Sequence, residues 1–213
     1  RIVPRRWVRR VGYSALAAVI AQGLLGGLTV LLLLPPQVSI AHACLGPTVF
    51  CLVACLAKAT LPSWNETPHR QEDAGWGWPS IRALSAVVAS LAGLQLLLGA
   101  LLRHTGHGLV WHAVGAATLF IGGGWMIAQV YRMEALAALR RGSRRLGSVL
   151  CLQVVLGVLA LAQREQVGII TAHVALGALV LVQTVVLAWD AQRLTRSRRV
   201  AGYVPAVPEQ AAA

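Results

Sequence analysis

Apolar residues fill this chain in six long runs, roughly 12–34, 38–58, 81–102, 108–131, 146–162 and 168–189. About 20 apolar residues cross a bilayer as a helix, so each run predicts a transmembrane span. The polar breaks between them are uneven. "PPQ" at 35–37, "RHTGH" at 103–107 and "QREQV" at 163–167 read as tight turns, whereas 59–80 and 132–145 are longer and polar. That alternation pairs the spans into three helical hairpins whose tips lie on one side of the membrane.

Composition agrees with the pattern. The 213 residues are 57% hydrophobic and 12% charged, with a mean hydropathy of +0.67. A soluble domain carries roughly twice that charged fraction. The expected fold class is an all-α polytopic membrane protein. The net charge of +12 could suggest nucleic acid, but the arginines cluster in short groups between apolar runs and lack the interleaved aromatics of a binding face. Seventeen of the nineteen basic residues fall on the side opposite the hairpin tips, which has only Arg103 and Arg164. The positive-inside rule then makes both ends of the chain cytoplasmic. The opening "RIVPRRWVRR" has neither an initiator methionine nor the cleavage site of a signal peptide. It reads as a connecting loop, with the expectation that the chain begins inside a longer protein.

Several residues invite functional readings that the pattern does not support. Cys44, Cys51, Cys55 and Cys151 lie within apolar runs without disulfide or zinc spacing, although Cys51 and Cys55 share a helix face. Trp64, Trp76 and Trp78 in the 59–80 loop suit interfacial anchoring. The sequon Asn65-Glu66-Thr67 falls on the cytoplasmic side, His69 reads as a solvated loop residue, and the Ala/Pro-rich stretch from Val200 to Ala213 reads as a disordered tail. His104 and His107 with His112 could form a surface metal site, but contact of Arg103 and His104 with haem propionates at the outer edge is the preferred reading.

The chemistry lies in a repeat. The hairpins read "QGLLGGL…SIAHACLG", "QLLLGAL…LVWHAVGA" and "QVVLGVL…IITAHVALG". Each outbound span carries a glutamine with a glycine four residues on: Gln22/Gly26, Gln95/Gly99 and Gln153/Gly157. Each inbound span carries a histidine near its start (His42, His112, His173), followed by Gly46, Gly115 or Gly177. An ionisable ring inside a span marks a functional site. At 1.5 Å per residue all three histidines lie about 6–8 Å below the outer membrane edge. A ligating nitrogen beside a glycine on the same face suits a flat ligand clamped between helices, and imidazole is an axial ligand of haem iron. Close helix packing is the bland alternative for the glycines, and interhelical hydrogen bonding for the glutamines.

"AVIAQGLLGGLTVLLLLPPQVSIAHACLG", "LQLLLGALLRHTGHGLVWHAVGA", "LQVVLGVLA" and "TAHVALGALVLVQTVVLAW" resemble successive parts of heme A synthase, over about residues 5 to 192. The resemblance implies eight membrane helices in two pseudosymmetric four-helix bundles, of which this chain matches the third to eighth. Residues 1–60 then form half of an amino-terminal bundle, 61–80 a cytoplasmic loop, 81–190 a carboxy-terminal haem b bundle and 191–213 a cytoplasmic tail. It further implies His112 and His173 as the haem b ligands and His42 as one histidine of the bundle that converts heme O to heme A. Arg103, Gly115, Gly177, Gln95 and Gln153 would line the cofactor. The family's first two helices, with the partner histidine and a glutamate thought to be catalytic, have no counterpart in this chain, so no catalytic residue is assigned.

The expected setting is a bacterial cytoplasmic membrane. Expected partners are membrane lipid, an electron donor, and other respiratory assembly proteins or a second copy. Two alternatives stand beside the enzyme: a bis-histidine b-type cytochrome without synthase activity, and a haem-free structural subunit of a respiratory or photosynthetic complex.

Overall fold

The computed structural model describes residues 5–64, 80–163 and 166–202. Six helices cover nearly all of them: α1 (Arg6–Leu31), α2 (Pro36–Thr60), α3 (Ile81–Thr105), α4 (Leu109–Arg132), α5 (Arg140–Ala162) and α6 (Val167–Gly202). All six contain stretches long and apolar enough to cross a membrane. Most of their surface is turned outward and apolar, as lipid-facing helices require. The protein is a multi-pass, all-α membrane protein.

Local chemistry sets the helix ends. Pro35 and Pro36 start α2, where a missing N–H costs nothing. The Ser80 hydroxyl accepts from Ala83 N at 3.3 Å and caps α3. The second hairpin turns on Gly106 and Gly108, at φ 72° and 93°, a conformation that glycine adopts readily. The first hairpin makes its turn with leucines instead: Leu33 and Leu34 sit at φ 57° and 63°.

Helices α3 to α6 close into a four-helix ring in which α3 packs on α4 and α6, and α5 packs on α4 and α6. Helices α4 and α6 therefore stand across one diagonal. The lower half of this ring, away from the hairpin tips, is a dense apolar core that includes Leu84, Val88, Met126, Leu146, Leu150 and Leu187. The first hairpin stands beside the ring, with α2 leaning on both α3 and α6 and α1 packing on α2.

Three expectations change. The 132–145 stretch is not an open polar loop: a short 3-10 helix, Glu134–Leu139, tucks Leu136 and Leu139 under the bundle, and α5 starts at Arg140. Its "EALAAL" segment is apolar enough to plug the core's lower end. Helix α6 continues past 189 to Gly202, so the segment from 191 begins as helix. Trp64 is buried at 8% exposure, its ring packed on Trp189 and Arg193 instead of being exposed to lipid. The Asn65 sequon, His69, Trp76, Trp78, Arg164 and the tail from 203 onward lie outside the described residues.

At the end opposite the tips, aromatic and charged side chains fasten the first hairpin to α6. Trp189 meets Trp64 with ring centroids 4.4 Å apart and Trp7 at 5.7 Å. Arg193 lies 3.8 Å over the Trp64 ring and donates to the Trp64 carbonyl at 2.7 Å. Lys58 of α2 pairs with Asp190 of α6 at 3.1 Å, and Arg5 donates to the Ala59 carbonyl at 3.0 Å.

Candidate functional site

The repeated residues meet within each hairpin, in one arrangement used three times. In an antiparallel pair, residues facing each other have nearly constant index sums. The pairs 26/42 and 22/46 obey this, as do 99/112 and 95/115 with a one-residue offset, and 157/173 and 153/177. The histidine therefore rests on the outbound glycine, and the glutamine rests on the inbound one. A Cβ at Gly26, Gly99 or Gly157 would stand 3.0, 3.1 or 3.1 Å from Cε1 of His42, His112 or His173. A Cβ at Gly46 or Gly177 would stand 3.1 or 3.3 Å from the glutamine Nε2, and one at Gly115 would collide with Gln95 Oε1.

The glutamines also contact the imidazoles. Gln22 Nε2 lies 3.5 Å from His42 Nε2, and Gln153 Nε2 lies 3.5 Å from His173 Nε2. Gln95 Nε2 donates to the His112 carbonyl at 2.9 Å and lies 3.1 Å from His112 Nδ1. A carbonyl only accepts, so the nitrogen end of Gln95 must face it. The glycine faces expected to admit the edge of a flat ligand thus hold Gln95 and Gln153. The outbound glycines, which sequence reading treated only as half of a Q-x3-G pair, form the seats of the histidines.

His112 and His173 face one another across the diagonal of the four-helix ring, with ring centroids 6.4 Å apart and planes at 74°. Two imidazoles bound on opposite sides of one metal, each nitrogen about 2 Å from it, have ring centres about 6 Å apart. The observed spacing is close to that value. No known family, curated protein or solved structure matches this chain. Its function must be read from these residues.

The hydrogen-bond inventory of the site is incomplete. His173 Nδ1, His42 Nδ1 and the Oε1 atoms of Gln22, Gln95 and Gln153 are buried without a partner in this structure. Buried polar atoms are rarely left unpaired. Of the facing pair, His173 offers a buried unpartnered ring nitrogen while the His112 nitrogens lie 3.1 and 3.4 Å from Gln95 Nε2, so the fit of a bis-imidazole metal centre rests on two imidazole donors at the right spacing. No cluster of three or more His, Cys, Asp or Glu occurs among the described residues, which leaves the paired histidines as the candidate centre.

The other predicted residues separate from this centre. His42 sits on α2 with its ring against α1, and no second histidine faces it among the described residues. Arg103 and His104 line a cavity of about 600 Å³ between α2, α3 and α6. Its α6 wall carries Val174, Ala175 and Ala178, which at 100° per residue lie on the side of α6 away from His173. Sequence reading missed this separation, and also missed Trp189 and Asp190. The only signal for those two was an aromatic–acid pair at the end of an apolar run.

Proposed function

We propose that this chain is a haem-handling membrane oxidoreductase of the heme A synthase type, with haem b held between His112 and His173. The observation that carries the reading is the approach of those two rings across the bundle diagonal at 6.4 Å. A haem bound there supplies one-electron transfer; two imidazole ligands leave no position for oxygen. In this reading α3 to α6 hold the histidines at one depth. Gly99 and Gly157 set how far the rings project, and Gln95 and Gln153 restrain their rotation. Heme O would be the substrate, its ring methyl oxidised with the oxygen of water to the formyl group of heme A in the bundle to which His42 belongs, the four electrons and four protons passing to an acceptor outside this chain. Both ends of the chain would face the cytoplasm of a bacterium, with the histidines toward the outer face.

Reduced-minus-oxidised spectroscopy tests the reading. Wild-type protein should show a low-spin b-type signal, and His112→Ala and His173→Ala should each abolish or convert it. His42→Ala should spare that signal and impair formation of heme A. A wild-type-like spectrum in either of the first two variants refutes the ligand assignment.

One observation favours a second reading, a b-type electron-transfer cytochrome without synthase activity. The described residues hold one facing pair of histidines and one histidine without a counterpart. The two readings separate on whether His42→Ala changes anything beyond stability.

A further inference from the structure

The first hairpin is fastened to α6 at one end of the molecule and stands away from the bundle at the other. Near the tips, α2, α3 and α6 diverge around the cavity of about 600 Å³, a size that suits small organic ligands. Gly46, Ala175 and Ala178 provide low walls, and the lining is almost wholly apolar. At its tip-end rim stand Arg103 and His104, in the last turn of α3, with Thr171 on α6. Arg103 has no carboxylate within salt-bridge distance among the described residues, and it is the one described Lys or Arg at the tip end. Other described arginines without a carboxylate, such as Arg9, Arg132 and Arg144, lie toward the opposite end, away from this cavity.

An unpaired guanidinium at the rim of an apolar cleft among membrane-spanning helices complements one kind of occupant, an amphiphile with an anionic head. We propose that the cleft between α2, α3 and α6 binds an anionic phospholipid, with an acyl chain in the cavity and the phosphate at Arg103. Guanidinium donors match phosphate oxygens in pairs, which an uncharged rim could not do. The α3 carboxyl-terminal dipole favours the cation at this position. Such a lipid would fill the joint between the first hairpin and the four-helix bundle at the end where the protein leaves it open. The proposal does not depend on what His112 and His173 bind.

The test uses the full chain, purified in detergent and titrated with phosphatidylglycerol or phosphatidylcholine of the same acyl composition. Bound lipid is counted by native mass spectrometry. Phosphatidylglycerol should be retained about fivefold more strongly, the effect of one cation near a membrane surface. Arg103→Gln should remove the preference, and Arg103→Lys should keep most of it. Ala178→Leu, which fills the cavity, should reduce retention of both lipids. Equal retention by wild type, or a preference that survives Arg103→Gln, overturns the proposal. So does displacement of phosphatidylglycerol by glycerol phosphate alone, which would mean that the cavity contributes nothing, or by a quinone, which would name a different occupant.

Discussion

Alanine at Gly99 and alanine at Gly93 should have different consequences, although both glycines lie in α3. Replacing a mid-helix glycine by alanine stabilises a helix by about 0.8–1 kcal/mol through backbone entropy. A Cβ at Gly93 meets nothing within 4 Å, so Gly93→Ala should gain that full amount. In a chain of this size it would raise the unfolding midpoint by about 2–4 °C. A Cβ at Gly99 would stand 3.1 Å from His112 Cε1, while carbon atoms rest comfortably at about 3.5–4.0 Å. The imidazole must therefore retreat by roughly 0.4–0.9 Å, against a glutamine that holds it. Such overpacking costs about 1–3 kcal/mol, so Gly99→Ala should be neutral or destabilising. Removing the ring should restore the gain: in a His112→Ala background, Gly99→Ala should stabilise by about as much as Gly93→Ala does. The difference between backgrounds is a coupling energy of about 1 kcal/mol or more. Thermal unfolding of the four proteins in one detergent measures it, with or without haem. Equal gains from Gly93→Ala and Gly99→Ala in the wild-type background would refute the seating of His112 on Gly99.

Other expectations follow from the turns and from the fastening at α6. Leu33→Gly removes a left-handed leucine that is 90% exposed, and should stabilise the protein by about 0.5–1 kcal/mol in the same unfolding assay. A loss of stability would show that Leu33 contributes more through lipid contact than its backbone costs. Asp190→Ala leaves Lys58 facing α6 alone and should cost about 1–2 kcal/mol, between the values for exposed and buried pairs. Lys58→Met with Asp190→Leu should recover most of that loss; a double variant as unstable as the single one would argue against the pairing. Trp189→Ala should expose the first hairpin to amide exchange while leaving α3 to α5 protected, and uniform loss of protection would contradict a localised joint.

Much of the architecture was legible because membrane helices leave few alternatives. Unbroken apolar runs have to be helices, since lipid offers the backbone no partner. The spacing of short and long breaks then fixes which helices pair. The Gln–Gly and His–Gly repeats placed the candidate residues on facing positions, and the facing of His112 and His173 across a diagonal follows from stacking two such hairpins. Which glycine served which side chain was not legible, because a glycine four residues after His173 and one facing it from α5 are equivalent until the antiparallel register is known. Arg103 illustrates a different limit. Its position near the tip was evident, but one step of 100° decides whether it faces the bundle interior or the cleft beside α2. The packing of Trp64 was not legible because a tryptophan next to a charged loop satisfies the rule for interfacial anchors. Only the late arrival of Trp189 and Arg193 in the chain buries it.

That late arrival matters during synthesis. Lys58 and Trp64 leave the ribosome more than a hundred residues before Trp189, Asp190 and Arg193. Through most of translation Lys58 therefore lacks its carboxylate, and Trp7 and Trp64 lack Trp189. Domains tend to form in the order in which they emerge, and exposed intermediate surfaces attract chaperones and proteases. Fastening the first hairpin to α6 makes the joint attainable only after α6 has been inserted. A product that stalls before α6 keeps that joint open and presents it to the membrane's surveillance proteases.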